Sequence, residues 1–352
     1  MTMRALVRRG ASAILETRPV PVPGPTDAIV RTTAASMCSA DIAALVGDID
    51  VPDGRVLGHE AVGTVHALGH DVDGFEIGDR VAVSSGTSCG RCRNCQRGYD
   101  GHCGGREWGA YSSGVSRDGS LAEFFTVPDA RRNLAPIPDG VEDWAAVCAA
   151  DSLCTGTSAY EQAALPLGGV VAVFGQGHVG LGATAGGRVS GAGLVVTVKA
   201  RAGGEDVSRA MGADVCLNLA EHDVVAEIDR LTEGHGVDVA VEASGVRESF
   251  PRAVEVTRLG GVISVLSSYN GPPDAELSIP LAHWGWGVGD KTVLSNFART
   301  GNERLGRVLR LVSTGRLDPA PMITHRYRFD EVDQAVADLR ARRGVIKPLI
   351  TF

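Results

Sequence analysis

Residues 170–180 read VVAVFGQGHVG. An apolar run of strand length ends in Gly175, Gly177 and Gly180, spaced G-x-G-x-x-G, where a helix-like stretch opens. In that setting the spacing predicts a dinucleotide-binding turn. The first glycine permits the tight turn, the second lets a pyrophosphate approach the backbone, and the third allows the helix to pack on the strand. The N–H groups and dipole of the following helix suit a phosphate. Gly175, Gly177, His178, Val179 and Gly180 are therefore candidate cofactor contacts, together with Ser244 in VDVAVEAS (237–244).

Downstream, the runs LVVTVKA (194–200), DVCLNL (214–219), VDVAVEAS and VISVLSS (262–268) recur at regular intervals. Helix-like stretches such as EDVSRAMGA (205–213) and HDVVAEIDRLTEG (222–234) lie between them. Strands alternating with helices imply α/β architecture, a doubly wound parallel sheet covered on both faces. The end of the second strand selects the dinucleotide, because an acid there binds the ribose 2′-hydroxyl of NAD. Here that point carries Lys199, with Arg201 two residues on and no acid before Glu205. Two cations suit a 2′-phosphate, so NADP(H) is favoured over NAD(H).

Upstream, the first 150 residues read as β-rich, with short runs such as AIVRTTAAS (28–36), EAVGTVHAL (60–68), DRVAVSS (79–85) and LAEFFTV (121–127). Beyond about residue 295 a helical stretch, NERLGRVLRLVSTG (302–315), leads through YRFDEVDQAVADLRA to a last strand, VIKPLITF (345–352).

Four of the eight cysteines crowd together as Cys89-x-x-Cys92-x-x-Cys95-x7-Cys103. Such tight clustering favours metal over disulfides, and four thiolates make a closed, structural zinc site. A second set is dispersed: Cys38 in SMCSAD, His59 and Glu60 in LGHEAVG, and Asp151 in AADSLCTG. Thiolate, imidazole and carboxylate are all zinc ligands, and a site that keeps one position open to substrate is catalytic.

The composition narrows the class. A chain of 352 residues with 44% hydrophobic and 22% charged residues is globular and fits two domains. A net charge of −8 favours solubility, and a nucleic-acid binder would more often be basic. No run approaches the ~18 apolar residues of a membrane span, and the N-terminus lacks a signal-peptide core. A cytoplasmic protein without membrane or nucleic-acid partners is the expectation.

These features together resemble the zinc-containing medium-chain alcohol dehydrogenases, through GHEAVG (58–63), GDRV (78–81), the four-cysteine lobe, DSLCTG (151–156) and GQGHVG (175–180). The closer likeness is to the bacterial NADP-linked secondary-alcohol branch. The resemblance implies a β-rich GroES-like catalytic domain at 1–155 and 296–352, with the zinc lobe at about 86–110, and a Rossmann domain at 156–295. It implies Cys38, His59, Glu60 and Asp151 as the catalytic zinc set, Arg201 on the 2′-phosphate and Lys347 near the cofactor. It also implies a homodimer or homotetramer acting on a small-molecule substrate: a secondary alcohol, a polyol or an amino-sugar ketone. Tyr111, Trp286 and Cys154 fall on segments that match pocket walls.

One departure stands out. The family's proton relay uses Ser or Thr two residues after the zinc cysteine and often His three further on. Those positions are Ala40 and Ala43, with Ser39 one residue away as a substitute. The alanine pair keeps open a second reading, an NADPH-dependent reductase of an activated C=C or iminium bond; a reading of another class is a non-catalytic cofactor-binding protein, against which the full set of zinc-ligand types argues.

Overall fold

The computed structural model describes every residue except Glu107, Trp108, Ala110, Tyr111, Arg201, Ala202, Asn270, Pro273 and residues 298–300. The chain divides into two compact units, Met1–Cys154 with Ala298–Phe352, and Thr155–Phe297. Among the described residues, no helix is long and apolar enough to cross a membrane.

The first unit begins with a hairpin of β1 (Thr2–Arg9) and β2 (Ser12–Pro19). Then come β3 (Ala28–Ser36), β4 (Glu60–Leu68), β5 (Arg80–Val83), β6 (Phe124–Val127) and β7 (Leu134–Pro136). The runs AIVRTTAAS and EAVGTVHAL form β3 and β4 from end to end. They pair antiparallel with Ser36 opposite Glu60, and β5 pairs antiparallel with β4. A helix, Asp143–Cys148, runs on as a π-helical turn, Ala149–Leu153, and then as the helix Cys154–Glu161.

The second unit holds β8 (Val170–Phe174), β9 (Leu194–Lys199), β10 (Val215–Asn218), β11 (Val237–Glu242), β12 (Thr257–Val265) and β13 (Thr292–Ser295). They make one parallel sheet in the order β10-β9-β8-β11-β12-β13. Side chains alternate across a strand. Ala172 and Phe174 therefore enter one core with Val196, Ile228, Phe250 and Ile263, while Val171 and Val173 enter the other with Val195, Val239, Val241 and Ala183. Burial on both faces is why these strands read as unbroken apolar runs rather than as an alternating pattern. The strand order reverses between β8 and β11, and the crevice beyond their carboxyl ends is where such sheets bind ligands.

The chain then returns to the first unit through the helix Asn302–Ser313, β14 (Ile323–Arg328), the helix Val332–Arg340 and β15 (Lys347–Thr351). The sheet there runs β14-β15-β3-β4-β5-β7, with β6 also on β3. The C-terminal strand lies antiparallel to β3, with Leu349 opposite Ser36. Its core gathers Val30, Met37, Leu45, Leu57, Val81, Phe125, Leu134, Phe329 and Ile350.

Glycine is needed at both ends of the 175–180 turn. Gly175 has φ +91°, and a Cβ there would come 2.7 Å from the Ser244 backbone. A Cβ on Gly180 would lie 1.9 Å from the Gly175 carbonyl oxygen, closer than atoms can approach. Gly180→Ala is expected to destabilise the second unit by about 1–3 kcal/mol through overpacking. Denaturant titration followed by far-UV circular dichroism checks this; an unchanged midpoint would refute the tight fit.

Candidate active site

The four-cysteine lobe is built from short irregular elements. Cys92 caps a one-turn helix, Arg93–Gln96, that carries Cys95, and Cys103 lies in the turn Asp100–Gly105. All eight cysteines of the chain are free thiols. One sulfur from each of Cys89, Cys92, Cys95 and Cys103 lies within 4.8 Å of the others, and the Cys92–Cys95 pair is 3.4 Å apart. Tetrahedral zinc–thiolate bonds of ~2.3 Å require sulfur separations of about 3.8 Å. Backbone amides already point at the sulfurs: Gly104 N–H donates to Cys92 Sγ at 3.2 Å and Cys89 N–H to Cys103 Sγ at 3.4 Å. The amides of Gly104 and Cys95 draw the Cys92 thiol down to about 6, whereas burial drives that of Cys103 upward. Arg132 braces the lobe from outside, donating to Ser88 Oγ at 2.7 Å and to Asp100 at 3.2 Å. The spacing and the amide donors fit a structural zinc ion.

The dispersed set converges by strand register. Cys38 follows the end of β3. Glu60 starts β4, antiparallel to it, and Lys347 starts β15 at the same end of the sheet. The π-helical turn brings Asp151 to that end, because Ala150 O accepts from the N–H of Ser85, two residues beyond β5. One ligand atom from each of Cys38, His59, Glu60 and Asp151 then lies within 4.8 Å of the others, and Cys38 Sγ is 3.2 Å from His59 Nε2. Zinc bonded to both would hold them about 3.5 Å apart.

Supporting contacts orient these donors. Cys38 caps the helix Ser39–Val46 in a capping box with Asp41, whose Oδ2 accepts from Cys38 N–H at 3.0 Å. The other oxygen, Oδ1, accepts from Gly58 N–H at 3.1 Å and lies 3.6 Å from His59 Nδ1. That separation is an ion-pair contact rather than a hydrogen bond, and it places a carboxylate on the ring nitrogen opposite the one that faces Cys38. Asp41 is therefore part of the site, although nothing in the sequence reading singled it out. A D three residues after the helix-capping cysteine was the available signal.

The charges are concentrated. Glu60 and Lys347 are fully buried, and the Lys347 ammonium faces both carboxylate oxygens, donating to Oε1 at 2.5 Å. Oε2 is held by that same ammonium and by no other hydrogen-bond donor among the described residues. Burial pushes Glu60 up to about 7 against the pull of Lys347. Burial also works against charge at Lys347, yet Glu60, Asp151 and Cys38 hold it above the ordinary lysine value. At His59 burial is likewise outweighed, by Cys38 and Asp41, and its pKa is raised well above the ordinary value. One thiol and three carboxyl groups thus surround one ammonium and one imidazole. This excess of acidic groups, gathered with a thiol and an imidazole within ligand distance of one another, suits a divalent cation.

The remaining candidates divide. Ser39 is exposed at the start of its helix, while Ala40 and Ala43 pack their methyl groups against the core. Cys154 is buried, and burial pushes its thiol up to about 12. Trp286 is 76% exposed. Tyr111 and Arg201 lie outside the described residues. In the second unit, a Cβ on Gly177 would meet open space, and Gly177 begins the helix His178–Val189 with no side-chain cap. An uncovered, uncapped helix start is a cradle that fits a pyrophosphate. Ser244 lies against Gly175 and donates its N–H to Glu242 at 2.8 Å. The Lys199 ammonium donates to the Gly203 carbonyl and sits 3.2 Å from Glu205.

Comparison with known proteins identifies the family. The family model for the alcohol dehydrogenase GroES-like domain matches residues 24–139, and that for zinc-binding dehydrogenases matches residues 179–314. The chain belongs to the zinc-binding alcohol dehydrogenases of the medium-chain superfamily, oxidoreductases that move hydride between an alcohol and a carbonyl compound. It is 37% identical over 350 residues to an alcohol dehydrogenase of Cupriavidus necator, covering 95% of this chain and 94% of that one. It is 38% identical over 333 residues to the NADP-dependent isopropanol dehydrogenase of Thermoanaerobacter brockii, covering 94% of each. Among solved structures, alcohol dehydrogenase TADH from Thermus sp. ATN1 superposes with a TM-score of 0.90 at 29% identity, over 99% of both chains.

The buried Glu60–Lys347 pair yields a stability prediction. Lys347→Met leaves an unpaired carboxylate in the core and is expected to cost about 3–5 kcal/mol in urea denaturation of the metal-free protein. Glu60→Gln introduced beside it should recover most of that loss. Equal stability of Lys347→Met and the parent would show that the pair carries no such weight.

Proposed function

We propose that the protein interconverts a secondary alcohol and its ketone with NADP(H), using zinc bound at Cys38, His59 and Asp151. The observation that carries this reading is the meeting of those three donors, with Glu60, at one end of a sheet. Zinc held by these residues would supply a Lewis acid for the substrate oxygen. The nicotinamide supplies the hydride acceptor or donor. Asp41 stands behind His59, and Lys347 holds Glu60, the third carboxylate of the site. The four-cysteine lobe holds a second, structural zinc ion.

Ala40 and Ala43 leave the helix after Cys38 without the hydroxyl and imidazole that relay a proton in this family, so Ser39 or water carries it. The absence of a hydroxyl or imidazole at both positions, whose methyl groups pack against the core, favours one second reading, reduction of an activated C=C or iminium bond. A screen of secondary alcohols, polyols, ketones, amino-sugar ketones, enones and iminium ions with both dinucleotides tests the two together. Ketone turnover that vanishes when zinc is removed supports the first reading; turnover confined to enones or iminium ions overturns it. Metal analysis should find two zinc ions per chain. Cys92→Ser should lose one ion together with thermal stability, whereas Asp151→Asn should mainly lose turnover.

The preference for NADP(H) is supported by Lys199 at the end of β9, by Arg201 two residues on in sequence, and by relatives named as NADP-dependent. Lys199→Asp combined with Arg201→Ala should weaken NADPH binding at least tenfold relative to NADH, measured by quenching of protein fluorescence. An unchanged ratio discards the assignment.

Self-association is part of this reading. Val293 on the edge strand β13, with Leu259, Trp286 and Val288 nearby in sequence or on the neighbouring strand, leaves apolar surface exposed on the second unit, as a homodimer or homotetramer needs. Eight free thiols suit a reducing compartment, the cytoplasm.

A further inference from the structure

Asp151 and Ser85 are 66 positions apart and joined twice. Ser85 N–H donates to Ala150 O at 3.1 Å, and Ser85 Oγ donates to Asp151 Oδ1 at 2.9 Å. The first bond fixes the Ser85 backbone against the π-helical turn, a form of helix that recurs at functional sites. With the backbone fixed, the hydroxyl is delivered to the carboxylate. An aspartate carboxylate turns about a broad, twofold torsion that its own rotamer does not lock. Asp151 therefore needs an outside donor to hold one orientation. Asp41 stands 3.6 Å behind His59 and Lys347 faces Glu60, and Ser85 completes the outer ring of the site.

We propose that Ser85 is a positioning residue for Asp151, whose hydroxyl holds the carboxylate in the orientation that binds the metal ion. This rests on the reading of Asp151 as a ligand. Outer partners of metal ligands typically carry 10–100-fold in metal affinity.

The test uses the full chain, with cobalt(II) as the probe at both sites and a chelator in competition. Ser85→Ala should bind the ion at the Cys38–His59–Asp151 site 10–100-fold more weakly and shift its visible absorption bands. The ion of the four-cysteine lobe should be unaffected and serves as an internal control. Ser85→Thr, which keeps the hydroxyl, should restore both affinity and spectrum. A Ser85→Ala protein with parental affinity and bands overturns the proposal, as does one whose melting temperature falls while its bands stay in place. Asp151→Ala separates the two layers of the argument. A metal affinity unchanged in Asp151→Ala overturns the ligand assignment itself. A loss there, with none in Ser85→Ala, overturns only the role of the serine.

Discussion

The antiparallel pairing of β3 with β4 on one side and β15 on the other is the constraint from which the site follows. With Ser36 opposite both Glu60 and Leu349, three chain segments far apart in sequence end at the same edge. A one-residue slip in either register would send the alternating side chains to the opposite face. Core residues such as Val30, Val65 and Ile350 lock the register by burial, so the hydrophobic core and the chemistry are set by one interaction.

That convergence is costly without a cation. Cys38, Asp41, Glu60 and Asp151 are all at least nine-tenths buried, and the folded protein brings these acidic groups together beside Lys347 and His59. Buried ionic groups of this kind stabilise little by themselves, because desolvation offsets their attraction. The arrangement makes sense as a binding site, where the free energy of metal binding is added to that of folding. The four-cysteine lobe follows the same logic with softer ligands and backbone amides in place of lysine.

The dinucleotide unit is governed by close approach rather than charge. Gly180 sits where any side chain would strike the Gly175 carbonyl, and Gly177 leaves the helix start uncovered. Such a turn reads directly from sequence, because the steric requirement is local and only one residue type meets it. The end of β9 is different. Lys199 could be placed at the strand's end from the sequence, but its pairing with Glu205 depends on how residues 199–205 fold back.

The sequence by itself determined the architecture of both units, the turn at 175–180 and the four-cysteine spacing, and, with the family likeness, it singled out the four dispersed residues that the fold brings together. Those signals are local periodicities, short spacings and residue types with restricted chemistry. Only the tertiary structure decided that Asp41 stands behind His59, that Lys347 is buried on Glu60, that Asp151 rides on a π-helical turn and that Ser85 reaches it. Ordinary serines, lysines and aspartates carry no mark of such roles in a linear chain. Strand register and helix geometry choose their partners, and both are settled only when the cores pack.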